Sequence, residues 1–182
     1  MSIGWHMKRI SILGSTGSIG RSALDVISMH GDRFKVVGLT AHRNIPLLIE
    51  QIKEFRPEIV AVTDGPEEIN AGVPVLRGEQ GLCEVASYEG ADFVLSAIVG
   101  SAGLLPTMAA VRAGKTIGLA NKETLVIAGP VVLKEAEKSG SVILPVDSEH
   151  SAVFQCLEGR DRRSIKKIVL TASGGPFAGR KK

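Results

Sequence analysis

Short apolar runs rich in β-branched residues alternate with helix-period segments along most of this chain. No other feature limits the fold as strongly. The runs predict strands at Arg9–Leu13, Lys35–Leu39, Ile59–Val62, Phe93–Ala97, Thr116–Ala120 and Val142–Pro145. Between the first two, Ile19, Ala23, Val26 and Ile27 fall at i, i+4, i+7 and i+8, which is one face of a helix. A second helix is predicted to start from Asn44 as N-cap, with Pro46 in its first turn and a stripe of Ile45, Leu48, Ile49 and Ile52. Further helices are predicted over 79–86, 104–113 and 130–138, the last opened by Pro130 and followed by Gly140. Right-handed crossovers between such strands give an α/β fold, a doubly wound parallel sheet with helices on both faces. The turn-rich segment TDGPEEINAGVPV (63–75) reads as a surface loop.

Composition agrees with a sheet buried on both sides. Of 182 residues, 44% are hydrophobic but only 4% aromatic, so Val, Ile, Leu and Ala must build the core. The net charge of +3 comes from 22 basic and 19 acidic residues. Its excess lies in RDRRSIKK (160–167) and GRKK (179–182), where no aromatics interleave to stack on bases. These runs read as solvated surface, and nucleic acid is not the expected partner. Cys83 and Cys156 make neither a disulfide framework nor a metal-type spacing, which fits a reducing cytoplasm. No stretch reaches the roughly 18 apolar residues of a membrane span. Residues 1–6 read as an expression-tag remnant ahead of Met7.

After Pro145 the pattern changes. A helix is predicted over Ser148–Leu157, burying Ala152, Val153, Cys156 and Leu157, then a strand over Ile165–Thr171 leading into ASGGPF. The expected organisation is a nucleotide-binding domain over 7–146, followed over 147–182 by the truncated start of a second, α+β domain.

The chemistry starts at ILGSTGSIGRSALD, which sets Gly14, Gly17 and Gly20 between the first strand and the first helix. Gly14 permits the tight turn, Gly17 lets the backbone approach a pyrophosphate, and Gly20 allows close helix–strand packing. The helix N-terminus then offers free N–H groups and partial positive charge to phosphates. At the first βα junction of an alternating chain, this turn makes the sheet Rossmann-like and predicts a bound dinucleotide. An NAD site usually carries a carboxylate at the end of the second strand. Here that place reads LTAHRN (39–44), with Arg43 available to pair with a 2′-phosphate and Asn44 beside it. NADPH is therefore expected over NADH, unless Arg43 is only a surface arginine.

Two further strand ends face the same crevice. Asn121, Lys122 and Glu123 follow the fifth strand, where they are either a helix start or groups for an anionic substrate and the cofactor. The small, glycine-rich SAIVGSAGL (96–104) would let a cofactor pass close to its backbone. PVDSEHSA (145–152) places Asp147 and Glu149 at the end of the sixth predicted strand. They are either an N-cap with an acidic first turn or two ligands of a hard divalent cation, Mg²⁺ or Mn²⁺, completed by substrate and water.

GSTGSIG, NKE, VDSEHSA and TASGGPF, in this order and spacing, resemble the 1-deoxy-D-xylulose 5-phosphate reductoisomerase family, from Met7 to the GGPF loop. The resemblance implies an NADPH-dependent oxidoreductase and isomerase of the non-mevalonate isoprenoid pathway, homodimeric and cytoplasmic. It would rearrange 1-deoxy-D-xylulose 5-phosphate, by retro-aldol cleavage and re-addition, and reduce the product to 2-C-methyl-D-erythritol 4-phosphate. By the same resemblance, Thr16, Gly17, Ser18 and Ile19 match the phosphate-binding turn, and His42, Arg43 and Asn44 the 2′-phosphate pocket. Asn121 and Glu123 would contact the cofactor, and Lys122 would hold a substrate oxygen. Asp147 and Glu149 match two of three carboxylate ligands of Mg²⁺, Mn²⁺ or Co²⁺, while Ser148, Glu149 and Ser173 match substrate-binding groups. The family's third metal ligand, lid and phosphate-gripping residues lie beyond GGPF, so this stretch alone is expected to bind NADPH without turnover. Two rival readings are a semialdehyde-dehydrogenase type, which needs a nucleophilic cysteine, and an NADP-sensing module without catalysis.

Overall fold

The computed structural model describes residues 7–66, 68–170 and 179. Its strands are β1 (Lys8–Leu13), β2 (Phe34–Ala41), β3 (Ile59–Val62), β4 (Val75–Arg77), β5 (Phe93–Ser96), β6 (Thr116–Leu119) and β7 (Val142–Pro145). The helices are α1 (Ser18–Met29), α2 (Ile45–Phe55), α3 (Gly78–Ser87), α4 (Leu104–Arg112), α5 (Glu123–Ser139) and α6 (Ser148–Leu157). All seven strands are parallel, in the order β4-β3-β2-β1-β5-β6-β7. The order reverses between β1 and β5, and the crevice beyond their carboxyl ends is where such sheets bind ligands.

Alternation along each strand divides the core into two layers. Ile10 and Ile12 of β1 and Leu95 of β5 pack with Leu24 and Ile27 of α1 and Leu48 and Ile52 of α2. Leu13, Val94 and Ile117 point the other way, onto Val85 of α3, Val111 of α4 and Val132 of α5. Burying each such side chain stabilises the fold by about 1.5–3 kcal/mol. The doubly wound reading holds, with strand ends within two residues of expectation.

Several local expectations fail for physical reasons. The buried face of α1 is Gly20, Leu24 and Ile27, whereas Ile19 and Val26 are 40% and 52% exposed. Close packing of Gly20 on the preceding turn sets the rotation of this helix. Segment 63–75 is not all loop, because Val75 opens the edge strand β4, paired through Val60 to Val75. Three residues are too few to show a period. Helix α5 begins at Glu123, well before Pro130, and breaks at Ala128 (φ −140°, ψ 24°). Proline has no N–H and clashes with the carbonyl four residues back, so the backbone departs from helix just ahead of it. Residues 165–170 form no strand, and Ile168, Val169 and Leu170 stay mostly exposed. A β-branched run needs a partner ladder, and none of the described strands pairs with it. Helix α6 forms where expected but buries nothing fully; Ala152 and Cys156 are exposed, and Val153 and Leu157 half-buried.

At the opposite rim, Glu58 gathers three partners: Arg9 Nη2 at 2.6 Å, Lys35 Nζ at 2.7 Å and the Tyr88 hydroxyl at 2.9 Å. The Lys35 hydrogen bond is the main cause holding the Glu58 carboxyl below its ordinary 4.5; it outweighs burial, and Tyr88 and the Arg9 charge help. A depressed carboxyl pKa adds stability that is present above the unfolded value and is lost as pH falls through the folded one. Glu58→Gln should therefore lower the melting temperature at neutral pH. The deficit should close as pH falls from about 5 to about 3. A deficit constant across that range, followed by thermal melts, would contradict the assignment.

Candidate active site

The glycine turn is built from below. The Gly14 N–H donates to Thr40 Oγ1 at 2.8 Å and the Ser15 N–H to the Thr40 carbonyl at 2.8 Å, so the end of β2 fixes the start of the turn. Gly14 itself has φ +84°, and a Cβ there would stand 3.0 Å from the Ala97 carbonyl oxygen at the end of β5. Helix α1 has no side-chain cap, and its first i→i−4 bond runs from Arg21 to Gly17. The N–H groups of Ser18, Ile19 and Gly20 have no acceptor among the described residues. This is the donor set that an anion at a helix N-terminus uses.

A groove of about 360 Å³ opens over this turn. Gly14, Thr16 and Gly17 line one side, Thr40, Ala41 and His42 the end of β2, and Ala97, Ile98 and Val99 the opposite wall. His42 Nδ1 lies 2.7 Å from Thr63 Oγ1, which fixes the ring at the rim. Arg43 is exposed beside it, and Asn44 caps α2 by accepting from the Leu47 N–H at 3.4 Å. A described groove thus joins the glycine turn to the segment bearing Arg43.

Asn121 stands at a helix start, one of the two readings of its motif. It is 2% exposed, and its Nδ2 donates to the carbonyls of Ile98 and Gly100, the latter at 2.9 Å. Its Oδ1 accepts from the Thr124 N–H at 3.1 Å. Both polar atoms of its side chain are engaged inside the protein, bracing the wall of the groove against the start of α5. Lys122 is exposed and Glu123 half-buried at that helix start.

Lys122, Asp147 and Glu149 share a second, larger groove of about 950 Å³ beneath α6. Different residues line the two grooves, and both grooves include residues at the carboxyl ends of the parallel strands. Asp147 is the N-cap of α6: its Oδ1 accepts from the His150 N–H at 2.9 Å, and His150 Nδ1 lies 2.8 Å from both carboxylate oxygens. Burial pushes the Asp147 pKa up, but the His150 hydrogen bonds and the charges of His150 and Lys122 hold it below the ordinary value. Glu149 is also held low, first by a backbone N–H, then by the Ser148 hydroxyl at 2.9 Å and the Lys122 charge. Two ionised carboxylates with oxygen donors only suit a hard cation. Among the described residues no three His, Cys, Asp or Glu side chains are grouped so as to hold a metal ion. Ser173 lies outside the described residues.

The sequence reading missed His150, whose i+3 spacing from Asp147 was its only signal, and Thr40, which carried none. Cys83 is half-buried on α3, where burial and then Glu79 and Glu84 push its thiol pKa up, against a nucleophilic role. Cys156 is exposed, contrary to expectation, and borders Ser148 and Glu149.

Comparison with known proteins settles the family. The family model described as 1-deoxy-D-xylulose 5-phosphate reductoisomerase matches residues 10–129, and that of its C-terminal domain matches 143–182. The chain belongs to the 1-deoxy-D-xylulose 5-phosphate reductoisomerase family. Reductoisomerases of Thermodesulfovibrio yellowstonii and Synechocystis are each 55% identical to it, over 96% and 94% of the chain. They are longer: the chain spans about half of them, 47% and 46%. Among solved structures, the Zymomonas mobilis reductoisomerase in complex with NADPH matches with a TM-score of 0.85 and 43% identity, covering 94% of this chain and 47% of that one. Another reductoisomerase, in complex with NADPH, fosmidomycin and magnesium, matches with a TM-score of 0.80 and 44% identity, over 84% of this chain and 40% of its own. Among the described residues no helix is long and apolar enough to cross a membrane.

Proposed function

We propose that this chain forms the NADPH-binding part, and the start of the catalytic part, of an enzyme converting 1-deoxy-D-xylulose 5-phosphate to 2-C-methyl-D-erythritol 4-phosphate. The observation that carries this reading is the gathering of the glycine turn, the Arg43 segment, Lys122 and the carboxylate pair along one sheet edge, in a chain 55% identical to named reductoisomerases. The division proposed at about residue 146 has the support of a second family model that starts nearby, at residue 143, after an unmatched stretch over 130–142.

NADPH is the proposed reductant. The free N–H groups of Ser18, Ile19 and Gly20 would bind its pyrophosphate with Thr16 and Gly17, while His42, Arg43 and Asn44 take the 2′-phosphate. Asp147 and Glu149 would hold a divalent cation, Mg²⁺ or Mn²⁺, since both are held ionised and supply hard oxygen donors. When bound, the cation supplies Lewis-acid polarisation of substrate oxygens and the nicotinamide supplies a hydride. Lys122 adds a fixed positive charge for a substrate oxygen, and Ser148 and Ser173 are assigned to substrate hydroxyls. Glu123 and Asn121 support the cofactor side, Asn121 through the groove wall that it braces. A cytoplasmic location and a homodimer belong to the same proposal. The free thiols Cys83 and Cys156 suit a reducing compartment, and the outward-facing Val126, Ile127 and Val131 of α5 support contact with further protein.

Calorimetric titration tests the cofactor assignment: NADPH should bind at least tenfold more tightly than NADH, as one charge-assisted phosphate contact of about 2 kcal/mol would give. Arg43→Ala should remove most of that preference, by roughly thirtyfold or less, while leaving NADH affinity unchanged. Equal affinity for both cofactors in the unmodified chain would sink the NADPH assignment.

A further inference from the structure

We propose that Gln51 of α2 is a positioning residue that holds the glycine turn in its phosphate-binding pose. It thereby ties the pyrophosphate site to the helix whose N-terminus bears Arg43 and Asn44. The inference rests on the NADPH reading above. Gln51 is a polar side chain in an otherwise apolar helix face, 5% exposed among Ile45, Leu48 and Ile52. Its Nε2 donates to the Ser15 carbonyl at 3.0 Å, and its Oε1 accepts from the Ser15 hydroxyl at 2.7 Å. Ser15 is itself fully buried, and its hydroxyl also lies 3.1 Å from the Thr40 carbonyl. The single hydroxyl proton serves the shorter contact, to Gln51.

Every polar group of Ser15 is thus consumed inward: N–H by Thr40, carbonyl and hydroxyl by Gln51. That inward anchoring leaves the following N–H groups, of Ser18, Ile19 and Gly20, for a ligand. A primary amide is the side chain that meets both needs of Ser15, because it carries one acceptor and a donor side by side. Lysine or arginine could not accept from the hydroxyl, and an ionised carboxylate could not donate to the carbonyl.

Two variants of the 182-residue chain test this by calorimetry at a temperature where each is folded by circular dichroism. Gln51→Leu should weaken NADPH binding at least tenfold while leaving adenosine 2′-monophosphate, which probes the 2′-phosphate pocket alone, within twofold. Gln51→Glu should weaken NADPH at about pH 8 and recover toward the parent, measured at the same pH, as pH falls toward about 5.5, because the protonated acid regains a donor. Equal losses for NADPH and adenosine 2′-monophosphate, or NADPH affinity unchanged in Gln51→Leu, would overturn the positioning role. Should Gln51→Leu not fold, the pH-dependent recovery of Gln51→Glu decides, and its absence overturns the proposal. An unmodified chain that fails to bind NADPH overturns the cofactor reading, and this inference with it.

Discussion

Gly20→Ala is expected to destabilise the chain by about 3 kcal/mol and to weaken NADPH binding at least tenfold. A Cβ at this position would stand 2.4 Å from the Gly14 carbonyl oxygen, 2.6 Å from Ser15 Cα and 2.7 Å from the Ser15 carbonyl oxygen. All three are backbone atoms, so no rotamer change can relieve the contact. Either α1 lifts away from the sheet, pulling Leu24 and Ile27 out of their layer, or the turn shifts and its N–H groups lose their arrangement. For a chain of this size the loss corresponds to a fall in melting temperature of roughly 6–12 °C. Urea unfolding measures the first effect and calorimetry the second. A variant within about 0.5 kcal/mol of the parent would show that the turn is far softer than its packing indicates.

The second large effect is expected at Asn121. Replacing it by Leu leaves the carbonyls of Ile98 and Gly100, which are part-buried, and the buried N–H of Thr124 without their partner. Each orphaned buried group costs about 1–3 kcal/mol, and partial relaxation brings the expected total to about 3 kcal/mol. Asn121→Ala should cost less, because the space it opens can admit water to the same groups. The Thr124 amide should exchange with deuterium much faster in the Leu variant. The opposite pattern, stability retained with cofactor binding lost, would mean that the side chain serves the ligand directly and not the wall. Gly103 supports the structural account: a Cβ there would come within 2.2 Å of Asn121 Nδ2, so the loop and the amide fit each other.

How much of this was legible in the sequence follows from what each signal measures. Strands buried on both faces announce themselves as continuous apolar runs, and six of seven were placed closely. The edge strand β4 was not, because three half-exposed residues carry no period. The rotation of α1 was misread because periodicity counts apolar residues, while Gly20 sets the rotation by lacking a side chain. Pro130 marked a real discontinuity, yet the helix on its other side was invisible to a rule that treats proline as a start. At the site, the glycine turn and the Arg43 segment were readable as motifs, since backbone geometry and charge are local requirements. Gln51, Thr40 and His150 were not. The first two depend on partners brought near by the fold, Gln51 lying 36 positions from Ser15, whereas His150 has a local partner three residues away whose i+3 spacing was a weak signal. The apolar stripe assigned to α6, including Cys156, failed because a stripe shows what a helix can bury, not what stands against it.

Parallel strands have a practical corollary. Each begins at one end of the molecule and delivers its exit loop to the other, so whatever is attached at the beginning ends is remote from ligands. Gly31, in the turn between α1 and β2, and Gly140, just past α5, have no neighbour within 4 Å of a would-be Cβ, and Gly31 has an ordinary negative-φ backbone. With the exposed thiol of Cys156 removed by Cys156→Ser, a dye or surface tether coupled through Gly31→Cys would report on the protein, or immobilise it, without obstructing either groove. Gly140, at φ +72°, would resist the same chemistry because its backbone tolerates few other residues.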